Sequence, residues 1–416
     1  AGYAHTVLLR SDGTAVACGD NYHGQCDIPP LDVGVKYTQV FAGVIHTVLL
    51  KSDGTAVACG GNNYGQCSIP ALAGGVTYVQ AFGGEHVTVL LKSDGKVVSC
   101  CEGFSGLTLG HLYLPALERG VTYKRVVRES YCTDSIVLVK SDGTAVAFGG
   151  LTDSWNIPAL DDGLTYTQVA ATDLHTVLLK SDGTAVACGD NDDGQCDIPA
   201  LEAGVIYRQV AVGMDHTVLL KSDGTVVACG NNHSGQCNIP ALDGEATYIQ
   251  VAAGHGFTVL LKSDGTAVAC GDGQCRIPVL DAGVKYTEIV AGAQHTVLLK
   301  SDGTAVACGY NYQGQCNIPA LDVGVTYLSS IQPRHILQAS FHRVADATML
   351  RLHFLSGEKQ SEFSVLGTDK LSDVLTRLTE DLGSDCQLDV VLPNGELLSK
   401  ISSLDAASTL GPFMLE

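Results

Sequence analysis

The tripeptide Ser-Asp-Gly occurs eight times along this chain, and that repetition constrains the fold more than any other feature. The successive spacings are 41, 41, 48, 40, 41, 41 and 38 residues. The tripeptides begin at Ser11, Ser52, Ser93, Ser141, Ser181, Ser222, Ser263 and Ser301. Repeats of this length are typical of propellers and solenoids, in which each unit buries its apolar surface against its neighbours. We therefore expect most of the 416 residues to form one repeat domain.

Each copy divides into four predicted strands. In the second copy, Tyr37–Ala42 is the first and His46–Lys51 the second, and a Thr-Ala-Val-Ala-Cys segment and a Gln-Cys-x-Ile-Pro segment follow. Ser-Asp-Gly forms the hairpin turn, because glycine adopts positive φ and aspartate can bond its own backbone. The continuous Val-Leu-Leu run is typical of a strand that is covered on both faces.

The two ends of the repeat region indicate ring closure. The first copy begins at Ala1 and lacks its first strand, whereas residues 325–331 supply an unpaired first strand after the eighth copy. Pairing this late strand with the first copy would remove an open sheet edge. The sequence thus predicts an all-β closed β-propeller over residues 1–331, with eight four-stranded blades favoured and seven as the alternative.

The repeat carries three recurring motifs: Ala-Gly-x-x-His-Thr, Ser-Asp-Gly-Thr and Gly-Asp-Asn-x-x-Gly-Gln, the last at 19–25 and 189–195. In these motifs it resembles the regulator of chromosome condensation repeat, which HERC-type ubiquitin ligases also carry. Its units are shorter than those of the family and number eight rather than seven. Cysteine stands where the family has tryptophan in the third strand and leucine after Gly-Gln. The resemblance implies a propeller that binds proteins.

A second, smaller domain follows a predicted linker at 332–347. Residues 349–355, 362–366 and 388–392 have the composition of strands, and 371–382 has apolar residues at helical spacing. The order strand–strand–helix–strand resembles a small α+β ubiquitin-like domain over 348–416. The chain ends without Gly-Gly, so we do not expect conjugation to targets.

The formal net charge of −20 bears on the class of partner. An acidic surface repels nucleic-acid phosphates and anionic lipids, and no apolar run approaches the ~20 residues of a membrane span. We expect protein partners, no nucleic acid, no membrane insertion and no cofactor. A cytoplasmic location is favoured, although the sequence leaves room for a targeting segment before Ala1.

Cysteines recur in pairs in six copies. The pairs are Cys18/Cys26, Cys59/Cys67, Cys188/Cys196, Cys229/Cys237, Cys270/Cys275 and Cys308/Cys316. The fourth copy replaces both members, with Phe148 and Trp155, which predicts that the two positions touch. Buried thiols are the favoured interpretation, disulfides are the alternative in an oxidising compartment, and zinc is disfavoured because Cys-x-x-Cys spacing is missing.

Five copies place a histidine before the second strand, at His5, His46, His175, His216 and His295. A catalytic group is rarely needed five times, so we predict a structural role in which a ring nitrogen bonds a backbone carbonyl. The loop Asp190-Asn191-Asp192-Asp193-Gly194 lacks the alternating aspartates of calcium loops. We predict no metal site and no enzymatic activity.

The copies differ at one end of the predicted ring. This variable loop face consists of the Ala-Gly-x-x-His and Asn-x-x-Gly loops, whereas the Ser-Asp-Gly turns and Ala-Leu-x-x-Gly linkers form a uniform face at the other end. Copies eight, one and two form an aromatic sector, and copies five and six carry Asp173, Asp192, Asp193 and Asp215. The predicted partner-binding residues of the aromatic sector are Tyr3, Tyr22, His23, Val44, Ile45, Tyr64, Tyr310 and Tyr312.

The leading functional prediction is a non-enzymatic protein–protein interaction scaffold, with a ubiquitin-pathway adaptor as its sharper version. One alternative is a structural subunit of a large assembly. A second alternative is a guanine-nucleotide exchange factor, as in the founding member of the family, for which the insertion at 101–113 is the one place to look.

Overall fold

The computed structural model describes residues 1–101, 117–127, 136–148, 156–242, 244–272 and 276–328, and beyond these the backbone of four strands between 335 and 391. The chain divides into two compact units, Ala1–Leu328 and Ser329–Glu416. Every regular element in the described part of the chain is a β-strand. None of the described residues forms a helix with the length and hydropathy that crossing a membrane requires.

The first unit contains eight small antiparallel sheets in chain order. They are β1 (His5–Leu9) and β2 (Ala15–Gly19); β3 (Tyr37–Ala42), β4 (His46–Lys51) and β5 (Ala56–Gly60); β6 (Tyr78–Gly83), β7 (Thr88–Lys92) and β8 (Val97–Cys100); β9 (Tyr123–Val127), β10 (Ile136–Lys140) and β11 (Ala145–Phe148); β12 (Tyr166–Ala171), β13 (His175–Lys180) and β14 (Ala185–Gly189); β15 (Tyr207–Val212), β16 (His216–Lys221) and β17 (Val226–Gly230); β18 (Tyr248–Ala253), β19 (Phe257–Lys262) and β20 (Ala267–Gly271); β21 (Tyr286–Ala291), β22 (His295–Lys300) and β23 (Ala305–Gly309).

The apolar core lies between successive sheets. The middle strand of each three-stranded sheet is buried along almost its whole length, as the continuous Val-Leu-Leu run predicts. One cluster joins Leu9 of the first copy to Tyr37 and Leu49 of the second. Each sheet therefore acts as a propeller blade whose two faces are covered by its neighbours.

Glutamine side chains fasten neighbouring blades together along their first strands. Gln168 of β12 donates through Nε2 to the carbonyl of Val210 in β15 at 3.3 Å and accepts the N–H of Val210 at 3.1 Å. The same two-bond clamp joins Gln209 to Val251 and Gln250 to Ile289. These clamps satisfy backbone groups in the interior that no ladder bond reaches.

The eighth and first copies are also neighbours. Residues 326–328 lie beside β1, where Leu328 N–H donates to Leu9 O at 2.9 Å and Ser11 N–H donates to Thr326 O at 2.8 Å. An apolar cluster of Leu8, Val297, Leu299 and Tyr327 fills the space between the two copies. The last described residues of the first unit therefore pair with its first copy.

The prediction of four-stranded blades was wrong, because the described sheets of the first unit have three strands at most. The expected fourth segment instead lies between its own blade and the next. In the first copy, Ile28 packs into the cluster of Leu9, Tyr37 and Leu49, and Tyr37 Oη donates to the carbonyl of Pro29 at 2.6 Å. Since proline has no N–H, this segment is a poor ladder partner for its own third strand.

The second unit contains a four-stranded mixed sheet. Its strands are β24 (His335–Val344), β25 (Ala347–Phe354), β26 (Gln360–Val365) and β27 (Leu388–Val391), in the order β26-β25-β24-β27, and β24 and β27 are parallel. The interval 332–347, predicted as a linker, contains β24, so that prediction was wrong. The predicted helix at 371–382 lies outside the described residues, and the ubiquitin-like fold stays a prediction.

Candidate functional site

The two sets of variable loops lie at the same end of the blades. Gly61 N–H donates to Ile45 O, and Asn231 N–H donates to Asp215 O, at 2.8 and 2.7 Å. Each bond joins an Asn-x-x-Gly loop to the Gly-x-x-His loop of the same copy. At the other end, Ser52 N–H donates to Lys36 O at 2.8 Å, which joins a Ser-Asp-Gly turn to a linker.

A fixed frame holds each Asn-x-x-Gly loop. In the first copy, Asn21 Oδ1 accepts the N–H of Cys26 at 2.8 Å, and Oε1 of the buried Gln25 accepts the N–H of His23 at 2.9 Å. Gly24 closes the turn with a φ of 81°. The same asparagine and glutamine bonds recur in the second, fifth, sixth and eighth copies. The side chains of the two residues between Asn and Gly have no part in this frame, and these residues differ among copies.

The predicted aromatic residues occupy several of these free positions. Tyr22 and Tyr312, at equivalent positions in copies one and eight, are 87% and 84% exposed. The ring of Tyr22 contacts that of His23 edge-on, with 4.9 Å between the ring centroids. The ring centroids of Tyr312 and Tyr310 are 4.7 Å apart. The structure therefore brings these predicted residues together in pairs, one pair in each copy.

The other predicted residues are less exposed. Tyr64 is half-buried and contacts His86 of the third copy, with ring centroids 4.4 Å apart. Val44 and Ile45 of the second copy are also half-buried. The sequence analysis did not predict His86 as a site residue. In the third copy Val87 occupies the recurring histidine position, and His86 lies one residue before it.

Tyr3 contacts a histidine of the seventh copy rather than another residue of the predicted aromatic sector. Its ring lies 6.0 Å from that of His255 in the seventh copy. Burial lowers the pKa of His255, and the nearby Asp173 carboxylate of the fifth copy partly offsets that effect. The loops before the second strand of copies one and seven therefore approach one another, which the order of copies along the chain does not reveal.

Carboxylates of the fifth and sixth copies face one another. The pKa of Asp215 is raised, first by burial and then by the neighbouring charges of Asp193 and Asp190. Asp193 and Asp215 are two of the four residues of the predicted acidic sector, and the sector as a whole stays a prediction. Across the described residues, no three His, Cys, Asp or Glu side chains converge so as to hold a metal ion.

The recurring histidines lie beneath the loops and link one blade to the next. His46 Nε2 lies 2.8 Å from Thr88 Oγ1, His5 Nε2 lies 2.9 Å from Thr47 Oγ1, and His295 Nε2 lies 2.7 Å from Thr6 Oγ1. The expected backbone-carbonyl partner was wrong, since the partner is a threonine hydroxyl of the following copy.

The protonation state of these histidines follows from the threonine bonds. Thr47 Oγ1 donates its hydrogen to Gln25 O at 2.7 Å, so it can only accept from His5 Nε2. The ring is then the neutral Nε2–H tautomer, and Nδ1 of His5 is buried without a hydrogen-bond partner. Burial lowers the pKa of His46 to about 4 and that of His5 to about 3, consistent with neutral rings. Such residues are not proton-transfer groups near neutral pH.

The predicted cysteine pairs hold thiols, and no disulfide joins the described cysteines. Buried thiols and disulfides both stay predictions for these pairs. These thiols are half-buried rather than fully buried, because the third strand that carries one member of each pair lies at the outer edge of its blade. The residues concerned are Cys18, Cys26, Cys59, Cys67, Cys188, Cys196, Cys229, Cys237, Cys270, Cys308 and Cys316. Cys275, Trp155 and the side chain of Phe148 lie outside the described residues.

Backbone carbonyls accept the thiol hydrogens. Cys26 Sγ donates to Asp20 O at 3.2 Å, and Cys316 Sγ donates to the equivalent carbonyl of Tyr310 at 3.4 Å. Burial raises the pKa of Cys18 to about 12 and that of Cys26 to about 11. Thiols with such a pKa are not nucleophiles near neutral pH, because the thiolate is scarce.

The cysteine pairs of successive copies also approach one another, which Cys316 shows most clearly. The sequence pairs Cys316 with Cys308 of its own copy, yet in the structure Cys316 also lies near Cys18 of the first copy, where its charge adds to that of Cys26 in raising the pKa. Cys18 Sγ donates to the carbonyl of Gln315, the residue before Cys316, at 3.6 Å. The reason is that the segment after the third strand lies between its own blade and the next, so its thiol approaches the third strands of both.

A comparison with known families shows which repeat the copies resemble. The family described as Regulator of chromosome condensation (RCC1) repeat matches residues 1–25, 37–66, 166–195, 207–236 and 286–315. Each matched segment spans the first two loops of one copy and its Asn-x-x-Gly frame. The first unit is an RCC1-like β-propeller.

Solved structures resemble this RCC1-like propeller at low sequence identity. Prp20p from Saccharomyces cerevisiae, described with its binding to Gsp1p and histones, is 16% identical with a TM-score of 0.46, and the match covers 82% of this chain and 89% of that one. The ectodomain of the receptor kinase ACR4 from Arabidopsis thaliana is 15% identical with a TM-score of 0.45, over 67% of this chain and 96% of that one. Human WBSCR16 is 18% identical with a TM-score of 0.42, over 70% and 81%. Among curated proteins, the sequence comparison finds no match.

Proposed function

We propose that the RCC1-like propeller is a non-enzymatic protein-interaction scaffold that binds a partner through its variable loop face. One observation carries the proposal: Tyr22 and Tyr312 are 87% and 84% exposed on loops whose backbone is held by asparagine bonds and by buried glutamine side chains. Scattered exposed apolar residues are ordinary on protein surfaces. Large aromatic side chains on preorganised loops in neighbouring copies are what an interface anchor requires.

The finer proposal is an adaptor of the ubiquitin pathway. It rests on the resemblance of the repeat to that of HERC-type ubiquitin ligases. A structural subunit of a large assembly is the competing proposal, and the partner's identity separates the two. The exchange-factor alternative depends on the insertion at 101–113, which lies outside the described residues after Cys101, and it stays a prediction.

Affinity capture with three versions of the full chain tests the proposal. The first is wild type, the second carries Tyr22→Ala, Tyr64→Ala and Tyr312→Ala, and the third is a control with Val33→Ser, Val279→Ser and Val323→Ser. The three valines are exposed in the linkers of the uniform face. Captured proteins are quantified by mass spectrometry from lysate of the native source.

We expect a stoichiometric partner to be retained by the valine variant and lost by the tyrosine variant. Interface anchors contribute about 2 kcal/mol or more each, so their joint removal should weaken binding at least about a hundredfold. Ubiquitin-pathway components among the lost proteins would favour the adaptor, and a fixed complex outside that pathway would favour the structural subunit. Equal recovery by all three chains would contradict binding through this face.

A further inference from the structure

Each complete blade of the propeller ends, at its outer side, in a third strand that has no neighbour in its sheet. In the second copy the order is β3-β4-β5, so β5 is an edge strand. Equivalent edges are Ala15–Gly19, Ala185–Gly189, Val226–Gly230, Ala267–Gly271 and Ala305–Gly309. Their side chains are mostly half-buried, so these edges reach solvent.

The ladder register shows which backbone groups point away from the sheet. Lys51 N–H donates to Thr55 O, and Gly61 N–H donates to Ile45 O, both at 2.8 Å. Hydrogen-bonded pairs alternate along an antiparallel ladder, and the register of β4 and β5 is continuous between these two pairs. Ala56, Ala58 and Gly60 therefore direct their N–H and C=O groups outward. In the described part of the chain, no hydrogen bond is made to these groups of Ala56 or Ala58.

The segment that follows the edge strand leaves the outward groups open. Tyr78 Oη donates to Pro70 O at 2.8 Å, which holds this segment against the next blade. Ile69 and Leu72 pack in the same apolar cluster as Ala56 and Ala58. Ile28 and Leu31 of the preceding copy pack in the cluster of Val57 and Cys59. The edge of β5 is thus flanked by two apolar segments, one toward each face.

These edges lack the devices that usually prevent strand addition. Natural edge strands carry lysine, proline or a bulge, or are covered by another element. The repeated sequence Ala-Val-Ala-Cys-Gly contains no charge and no proline, and its ladder with the middle strand has no bulge. The bulge in this sheet lies at the other ladder, between Tyr37 and Gln39.

We propose that the third strands of the blades bind extended segments of a partner protein, each adding as a fourth strand. Main-chain hydrogen bonds provide the affinity in such strand addition, so recognition tolerates sequence variation. The net charge of −20 disfavours a second copy of this chain as the occupant and favours a segment flanked by lysine or arginine. Since the same edge recurs around the ring, a partner with several such segments gains avidity.

A synthetic probe tests this directly with the full chain. The probe is the capped peptide Lys-Val-Thr-Val-Thr-Val-Lys, and its control is the same sequence N-methylated at every Val and Thr. Hydrogen–deuterium exchange at residue resolution reads out each blade separately. In the free chain, we expect fast exchange at Ala56 and Ala58 and slow exchange at Val57 and Cys59.

Addition of the unmethylated probe should slow exchange at Ala56 and Ala58 at least about tenfold, and the methylated probe should have no effect. The substitution Ala58→Pro removes an outward N–H and no hydrogen bond to β4, so it should abolish the added protection in β5 and leave that at Ala187 in β14 unchanged. That second blade is a control within the same molecule. The variant with three tyrosines replaced should bind the probe like wild type, so this test is independent of the proposed function.

Three results would overturn the proposal. Slow exchange at Ala58 in the free chain at low concentration would show that the chain covers its own edges. Equal protection by both probes, or by neither, would show that no strand is added. Protection that rises with the concentration of the chain alone would make a second copy the occupant.

Discussion

At the scale of single residues, the recurring histidine shows what a repeated motif can and cannot reveal. Its repetition predicts a structural role, and the buried ring, the bond to threonine and the lowered pKa agree with that role. Its partner could not be predicted, because His46 and Thr88 lie 42 residues apart and belong to different blades. Only the packing of blades fixes that register.

The histidines should make the propeller sensitive to acid. Burial lowers their pKa in the folded state to about 4 for His46 and His175 and about 3 for His5, His216 and His295, below the ordinary 6.5. The unfolded chain therefore binds more protons as the pH falls below about 6.5, and the free energy of unfolding decreases from there toward the folded pKa. Each such proton contributes about 1.4 kcal/mol per pH unit.

Urea unfolding between about pH 8 and about pH 4 measures this slope. The substitution His46→Phe should reduce this slope by the contribution of one proton. Phenylalanine is a suitable replacement because Phe257 already occupies the equivalent position in the seventh copy. The carboxylates of the Ser-Asp-Gly turns titrate in a lower window, since threonine bonds hold the pKa of residues such as Asp223 below 3.8. A flat profile down to about pH 4 would contradict the neutral-ring assignment.

At the scale of elements, the strand pattern was predictable up to the third strand of each copy. Short apolar runs and the Ser-Asp-Gly turn define the hairpin of β4 and β5 without reference to other copies. The fourth segment has the composition of a strand, yet its position is decided by Tyr37 Oη of the next copy and by the missing N–H of Pro29. A contact between copies thus overrides a local preference.

The tyrosine–proline bond should be measurable by itself. Tyr207→Phe removes the hydroxyl that donates to Pro199 O at 2.6 Å and keeps the buried ring. We expect a loss of about 1 kcal/mol in the free energy of unfolding. Thr225→Val, which removes a hydroxyl bonded to Asp223 in an exposed turn, is the control and should cost less. Equal losses would show that the linker is held by apolar packing alone.

At the scale of the whole molecule, the sequence predicted the number of copies and the meeting of the last copy with the first. The variable loop face was harder to predict, because the contact of Tyr3 with His255 joins copies that are not neighbours in the chain. The second unit was harder still, since the segment expected to be a linker contributes β24 to its sheet. Repetition constrains the first unit, and nothing comparable constrains the second.

Ring closure can be tested by comparing one contact at two places. Thr6→Val removes the hydroxyl between His295 and Gln315 at the junction of the eighth and first copies. Thr258→Val removes the equivalent hydroxyl between His216 and Gln236 within the series. Both should cost about 1–3 kcal/mol, because each leaves buried groups unsatisfied. A much smaller loss for Thr6→Val would indicate that the junction does not form in solution.

The frame of the Asn-x-x-Gly loop has a consequence for how such a protein changes over time. Because Asn21 and Gln25 hold the backbone, the side chains of Tyr22 and His23 can be exchanged without disturbing the turn. The equivalent pair is Asp192 and Asp193 in the fifth copy and His233 and Ser234 in the sixth. A gene assembled from such units can alter one surface contact at a time with little risk to folding. Mutational tolerance is thereby concentrated where recognition takes place.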